Sequence, residues 1–278
     1  MKKLFSTLAM VGTIALASDA NAQGHYHLYV GAASTGQDAP LFFDDENGLA
    51  TNNGFVATLV YTNGGKYAGF FQPGGITVAV LAATGNNGGP VPNAPALGSR
   101  VFIQLVSVQG PPGGSFGFWE TNATNPTFSL ACGAIGGTNA YCASQNDGSP
   151  GTDPYGHIHG RAFTATVPGL YTVGLRAYDG STNGVNGGQI QSPSGTFYLQ
   201  FQAGLTLTSL RVENQTAIAT FGATGGQNLV LQRSDGLTST NWQQVGDMVT
   251  GDDHFHSVTD DSATGARRFY RVVGTPAN

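Results

Sequence analysis

Apolar and polar residues alternate in short runs along most of this chain, and clusters of Gly, Asn, Pro and Ser separate the runs. A period of two places successive side chains on opposite faces of a β-strand, so each run predicts a half-buried strand. Outside the first 22 residues, no stretch has the spacing of an amphipathic helix. Strands punctuated by turns in this way are typical of an all-β sandwich or barrel. The clearest runs are 54–61, 67–71, 76–82, 101–108 and 115–120.

The pattern continues through three later runs, 157–165, 171–178 and 196–201. Pro168-Gly169 predicts a turn that joins the first two of these runs as a hairpin. Residues 132–156 are dominated by Gly, Asn, Ser and Asp, which predicts a long surface loop.

The chain changes character near residue 205, where an alternating run opens a segment with a higher density of charge. About 70 residues follow, which is the size of a small sandwich domain. We therefore predict a two-domain all-β protein: a β-sandwich of jelly-roll or immunoglobulin-like type over 23–204, and a small sandwich over 205–278.

The first 22 residues predict a secretory signal peptide, because a basic start is followed by an apolar run from Leu4 to Ala17 and by the small residues Ala20-Asn21-Ala22. No other apolar run approaches the roughly 20 residues that a membrane-spanning helix needs. We expect an exported bacterial protein without a membrane span, in the periplasm, at the cell surface or in the medium.

Composition bears on two questions: whether the protein binds nucleic acid, and whether its cysteines form a disulfide. Only 10% of residues are charged and the formal net charge is -5, so no basic patch is available for nucleic acid. The two cysteines, Cys132 and Cys142, predict a disulfide in an oxidising compartment. The alternative interpretation makes them thiolate metal ligands.

All six histidines occur as three His-x-His pairs: His25 with His27, His157 with His159, and His254 with His256. In an extended strand, residues i and i+2 leave the same face, so each pair presents two imidazoles side by side. Neutral imidazole suits zinc and copper, and two such pairs from different strands complete a four-ligand site.

The sequence therefore predicts a zinc or copper site made by His25, His27, His157 and His159, provided that the strand after His25 lies beside the strand from His157. The third pair follows an acidic turn, which makes a second candidate metal site, but the polar neighbours of this pair favour a solvated loop tip. Two acids are candidates for the second shell of the first site. The second-site residues are His254, His256, Asp252 and Asp253, and the second-shell candidates are Glu120 and Asp153.

Two other functions compete with metal capture. The first is a surface or matrix protein that makes cell-surface or polymer contacts and whose histidines are incidental. The second, and less favoured, is a cupin-like or copper metalloenzyme. Gly151 and the pair at 157–159 match the opening of the cupin metal motif, but Ala162, Phe163 and Thr164 occupy the positions around its acidic ligand. No nucleophile elbow, H-E-x-x-H helix or P-loop is present, so an enzyme has little support.

Two segments resemble known families. His157-Ile158-His159-Gly160-Arg161-Ala162-Phe163-Thr164, followed by Pro168-Gly169-Leu170-Tyr171, resembles a repeat of bacterial surface-anchored proteins, some of which are zinc-regulated. The tail from Leu231, with Thr240-Asn241-Trp242 and Arg268-Phe269-Tyr270-Arg271-Val272, resembles a fibronectin-III-like module of secreted proteins from Verrucomicrobia and related bacteria. The first resemblance implies a link to metal handling, and the second implies a non-catalytic accessory domain.

Overall fold

The computed structural model describes residues 26–45, 47–73, 76–81, 93–145, 161–238, 241–263 and 267–277. These residues form β-strands, joined by turns and by two short 3₁₀ segments at Thr51–Asn53 and Val185–Gly187. The predicted all-β fold is confirmed. Within the described residues, no helix has the length and apolar character required to cross a membrane.

Two compact units divide the chain, with their boundary between Ala203 and Gly204. We call the described residues before this boundary the N-terminal unit and those after it the C-terminal unit. The predicted signal peptide, 1–22, lies outside the described residues.

The N-terminal unit contains strands β1 to β12. Their bounds are β1 Tyr26–Ala32, β2 Leu41–Asp44, β3 Ala57–Tyr61, β4 Phe71–Pro73, β5 Ile76–Val80, β6 Arg100–Gln109, β7 Ser115–Trp119, β8 Phe128–Ala131, β9 Ala140–Gln145, β10 Ala162–Ala165, β11 Gly169–Asp179 and β12 Phe197–Ala203.

These strands form two sheets. The smaller has the order β2-β1-β5, in which β1 pairs antiparallel with β2 and parallel with β5. The larger has nine strands in the order β8-β7-β10-β4-β3-β12-β11-β6-β9. Phe118 of β7 stacks on Tyr141 of β9 with ring centroids 3.9 Å apart, although these strands lie near opposite ends of the order. The large sheet is therefore strongly curled.

A single apolar core lies between the two sheets. Leu28 and Val30 of β1 are fully buried in it together with Val173 and Phe201 of the large sheet. Aromatic side chains fill much of the space, and Phe116 alone contacts the rings of Phe163, Tyr171 and Phe201. Burial of one face of β1 leaves the alternate side chains on its outer face.

The C-terminal unit contains strands β13 to β18 in two three-stranded sheets, β13-β14-β17 and β16-β15-β18. Phe221, Leu229 and Leu231 are buried between these sheets. The bounds are β13 Leu207–Glu213, β14 Thr216–Ala223, β15 Gln227–Ser234, β16 Gln243–Thr250, β17 His254–Asp260 and β18 Phe269–Pro276.

Three local predictions are wrong. The run 67–71, predicted as a strand, forms a turn before β4 begins at Phe71. The predicted hairpin does not form, because β10 pairs with β7 and β4 whereas β11 pairs with β12 and β6. The segment predicted as a surface loop contains β9, an edge strand of the large sheet. Tyr141 and Ala143 bury their side chains in the core, and this alternation is short enough to be hidden among polar neighbours.

Candidate functional site

Residue His27 lies on the outer face of β1. Its neighbours Leu28 and Val30 point into the core, so His27 and Tyr29 share the opposite face. The Tyr29 hydroxyl is 3.2 Å from His27 Nδ1, and Asn47 Nδ2 donates a 2.7 Å hydrogen bond to the His27 carbonyl. The ring is half-buried and held beside a tyrosine, while its predicted partner His25 lies outside the described residues.

The second pair, His157 and His159, also lies outside the described residues, as does Asp153. The structure does describe Arg161, which follows this pair after one glycine. The Arg161 side chain is only 12% exposed and donates a 2.9 Å hydrogen bond from Nη2 to the Cys142 carbonyl. The chain is therefore fixed two residues after His159.

The partner that holds Arg161 is Glu120, the acid predicted to support the metal site. Arg161 Nε is 2.7 Å from Glu120 Oε2, and Arg161 Nη2 is 2.9 Å from Oε1, which makes a two-pronged ion pair. The pairing of Ala162 with Trp119 brings these residues together, because Glu120 follows β7 and Arg161 precedes β10. Both carboxylate oxygens of Glu120 thus contact the arginine.

Sequence reasoning missed Arg161. An arginine beside a strand rich in buried residues requires an anionic partner, because burying an unpaired charge is costly. The signal was therefore present in the sequence: Arg161 opens the run that ends in the buried residues Phe163 and Thr164. Only the strand pairing identifies which acid is its partner.

The described strands nearest in sequence to the first two histidine pairs, β1 and β10, are not neighbours. β1 pairs with β2 and β5, whereas β10 pairs with β4 and β7. However, β4 ends at Pro73 and β5 begins at Ile76, so a short connection joins the neighbour of β10 to the neighbour of β1. The Cα atoms of Pro73 and Ile76 are at most about 11 Å apart by covalent geometry. Convergence of the four imidazoles stays a prediction.

Both members of the third pair lie within the described residues, on one face at the start of β17. Asp252 comes just before this strand and faces both rings: its Oδ1 is 2.9 Å from His256 Nε2 and 3.9 Å from His254 Nδ1. The same oxygen accepts a 3.1 Å hydrogen bond from the His254 backbone N–H, and the Asp252 carbonyl lies 2.8 Å from His254 Nδ1.

Asp253, also predicted for this site, makes a different contact. Its Oδ1 accepts a 2.8 Å hydrogen bond from the Gly225 backbone N–H. Its φ of 59° lies in the left-handed region, which Asp tolerates in turns. Asp252 is therefore the acid that faces the imidazoles, and Asp253 shapes the turn.

The electrostatics of this cluster favour an ionised Asp252. Partial burial acts to raise the pKa of its carboxyl, but the hydrogen bond and charge of His256, together with the hydrogen bond from the His254 backbone, hold that pKa below its ordinary value. An ionised carboxylate beside two imidazoles is a suitable ligand set for a divalent cation. As they stand, however, no three or more His, Cys, Asp or Glu side chains of the described ranges are placed so that they could hold a metal ion together.

Both cysteines are free, so the predicted disulfide between Cys132 and Cys142 is wrong. Cys132 Sγ lies beside Gly110, since it is 2.8 Å from the place that a Cβ atom on residue 110 would occupy. Cys142, in contrast, pairs with Phe102 in the ladder of β6 and β9. Gly110 and Phe102 are separated by about 26 Å of extended strand. A disulfide needs Cα atoms within about 7 Å of each other.

Burial also raises the pKa of both thiols above its ordinary value. Both cysteines are consequently protonated at neutral pH, and a protonated thiol is a poor metal ligand.

Comparison with known proteins adds no family assignment: no family model matches this sequence, and no curated protein matches it.

Proposed function

We propose that this protein is exported and captures a divalent transition metal, zinc or copper, through its paired histidines. The observation that carries the proposal is the cluster of Asp252, His254 and His256, in which one carboxylate oxygen lies 2.9 and 3.9 Å from two imidazole nitrogens. Ligand atoms bound tetrahedrally to zinc at 2.0–2.1 Å are about 3.3 Å apart, so the first distance would have to lengthen and the second to shorten around an ion.

Metal binding at this cluster requires its side chains to rearrange. Zinc would replace the proton that His256 Nε2 shares with Asp252, and the His254 ring would exchange its contact with the Asp252 carbonyl for the metal. The side chains of the two histidines are 45% and 34% exposed, so an ion reaches them from solvent. Two histidines and one carboxylate leave a fourth position for water or for a further ligand.

The other two pairs form the larger capture site of the proposal, with His25, His27, His157 and His159 as ligands. Two observations support it. His27 lies on the outer face of β1, and the ion pair with Glu120 fixes Arg161 two residues after His159. The short connection between β4 and β5 is compatible with two pairs near each other. Binding weakens below about pH 6, since imidazole must be neutral to bind a metal.

The test is metal titration of protein purified without a histidine tag. Isothermal titration calorimetry with zinc and with copper(II), together with mass spectrometry of the native protein, gives the number of ions bound. We expect His157→Ala/His159→Ala and His254→Ala/His256→Ala each to remove a different subset of the bound metal. Asp252→Asn weakens the site on β17 about tenfold, as loss of one ligand or orienting group does.

Asp253→Asn is the matched control, because the neighbouring acid contacts Gly225 instead of the imidazoles. If the protein is a surface protein with incidental histidines, it should be metal-free and its melting temperature should not respond to zinc or copper. That result would exclude the proposal. Equal loss of binding in Asp252→Asn and Asp253→Asn would exclude the specific ligand set on β17.

A further inference from the structure

β13, Leu207–Glu213, is an edge strand of the C-terminal unit. Its sheet has the order β13-β14-β17, and β14 pairs with one side of β13. Among the residues that the structure describes, no strand pairs with its other side. An unpaired edge presents backbone N–H and C=O groups that are free to bond with another strand.

One face of β13 carries apolar side chains that the unit leaves uncovered. In the ladder with β14, Leu210 pairs with Ala219 and Val212 pairs with Ala217. Both alanines are buried, but Leu210 is 36% exposed and Val212 is 63% exposed. Exposed apolar side chains on an open edge favour association with a further strand.

The other face of β13 carries opposite charges two residues apart. Arg211 Nε lies 3.2 Å from Glu213 Oε1, and the two side chains are 63% and 61% exposed. An ion pair this exposed contributes little within one chain. It does, however, set which strand registers an incoming partner can adopt.

We propose that β13 pairs antiparallel with β13 of a second copy of this chain, about a two-fold axis at Val212. In that register Arg211 lies opposite Glu213 of the partner subunit, and Glu213 lies opposite the partner's Arg211. Two cross-strand ion pairs form on one face, while Val212 meets the partner's Val212 on the other. The contact is self-complementary, as a two-fold interface must be.

Charge complementarity selects this arrangement over the alternatives. Moving the axis to Arg211 places two arginines opposite each other, and like charges directly opposite destabilise a sheet. Parallel pairing in register would align Arg211 with the partner's Arg211 and Glu213 with the partner's Glu213. Of these three registers, the antiparallel one about Val212 alone satisfies both charges. Residues 211–213 of the two β13 strands then face each other, and this short ladder connects the two three-stranded sheets.

Site-specific cross-linking of the full chain tests the register. Opposite residues in an antiparallel pair have Cα atoms about 4.5–5.5 Å apart, which is within disulfide range. We expect Val212→Cys to form a disulfide-linked dimer under mild oxidation. Leu210→Cys is the matched control, because its two copies would be about 13 Å apart along the strand. Wild-type protein treated in the same way measures any contribution of Cys132 and Cys142.

Charge reversal tests the proposed partner by analytical ultracentrifugation. Arg211→Glu places two acids opposite each other and weakens dimerisation about tenfold. The double variant Arg211→Glu/Glu213→Arg restores the complementary pairs and therefore the dimer. A wild-type protein that stays monomeric, equal cross-linking at 210 and 212, or a double variant as weak as the single one would each overturn the proposal.

Discussion

Both units bury apolar side chains between their two sheets, but the C-terminal unit adds an ionic link between them. In the N-terminal unit the sheets meet through apolar and aromatic packing, and Phe43 of the small sheet contacts Phe197 of the large one at 5.2 Å between ring centroids. In the C-terminal unit a buried carboxylate links them. Asp260 of β17 is 3% exposed and contacts Arg233 of β15 and Tyr270 of β18, which belong to the other sheet.

Every oxygen of that carboxylate is engaged. Oδ1 accepts hydrogen bonds from Arg233 Nη1 at 2.6 Å and from Ser262 Oγ at 2.7 Å, and Oδ2 accepts from Arg268 Nη1 at 3.0 Å and from Tyr270 Oη at 2.9 Å. A domain of about 70 residues buries a smaller fraction of its surface than a larger one, so its apolar core contributes less. A fully hydrogen-bonded charge cluster links its two sheets in addition to that core.

Removal of one buried aromatic ring should give the largest difference in stability between the two units. Phe116→Ala deletes a fully buried side chain that contacts three other rings, and we expect a loss of about 4 kcal/mol in the stability of the N-terminal unit. Peptide-resolved hydrogen exchange measures the loss separately in each unit. Ile135→Ala is the control, because Ile135 is 84% exposed. Equal deprotection of both units would show that their cores are not separate.

Removal of the buried carboxylate should act on the other unit. Asp260→Ala leaves Arg233 and Arg268 without their common partner, and we expect a loss of about 3 kcal/mol in the C-terminal unit. Hydrogen exchange in β15, β17 and β18 reports the change. Asp247→Ala changes an exposed acid of the same unit and should alter stability by less than about 0.5 kcal/mol. If both variants behave alike, apolar packing alone holds the two sheets.

Local sequence pattern predicted the elements much better than their partners. The alternation at 101–108 and 171–178 predicted β6 and β11, because the side-chain period depends only on the strand itself. The order of the nine-stranded sheet depends on which distant runs pair, and periodicity carries no such information. The wrong hairpin between β10 and β11 has this cause, since a turn signal indicates a change of direction without fixing the next neighbour.

At the candidate site, too, the sequence identified residues but not their contacts. The preceding acids were visible in the sequence, but the polar neighbours of His254 and His256 favoured a loop tip, whereas both histidines lie on β17. That Asp252 faces the imidazoles while Asp253 turns to Gly225 depends on a backbone angle that composition does not reveal. The disulfide prediction failed for a related reason: only nine residues separate Cys132 from Cys142 along the chain, but the strand β9 carries the second cysteine far from the first.

Acidification should destabilise the C-terminal unit through protonation of Asp260. Burial acts to raise the pKa of this carboxyl, but the hydrogen bonds from Ser262, Arg233 and Tyr270 hold that pKa far below its ordinary value. The folded state therefore binds this proton more weakly than the unfolded state does. The stabilisation is fully present above about pH 4 and is lost as the pH falls below it, with a slope approaching 1.4 kcal/mol per pH unit for one group, about the limit set by linkage.

Hydrogen exchange corrected for intrinsic rates, from pH 7 downward, should show this loss in β15, β17 and β18. Asp260→Asn should be less stable at pH 7 but should show a shallower decline, because it has no carboxyl at this position to protonate. Parallel curves for wild type and Asp260→Asn would mean that another group controls the acid response, and the contrast between an apolar and an ionic junction would then rest on the Asp260→Ala result alone.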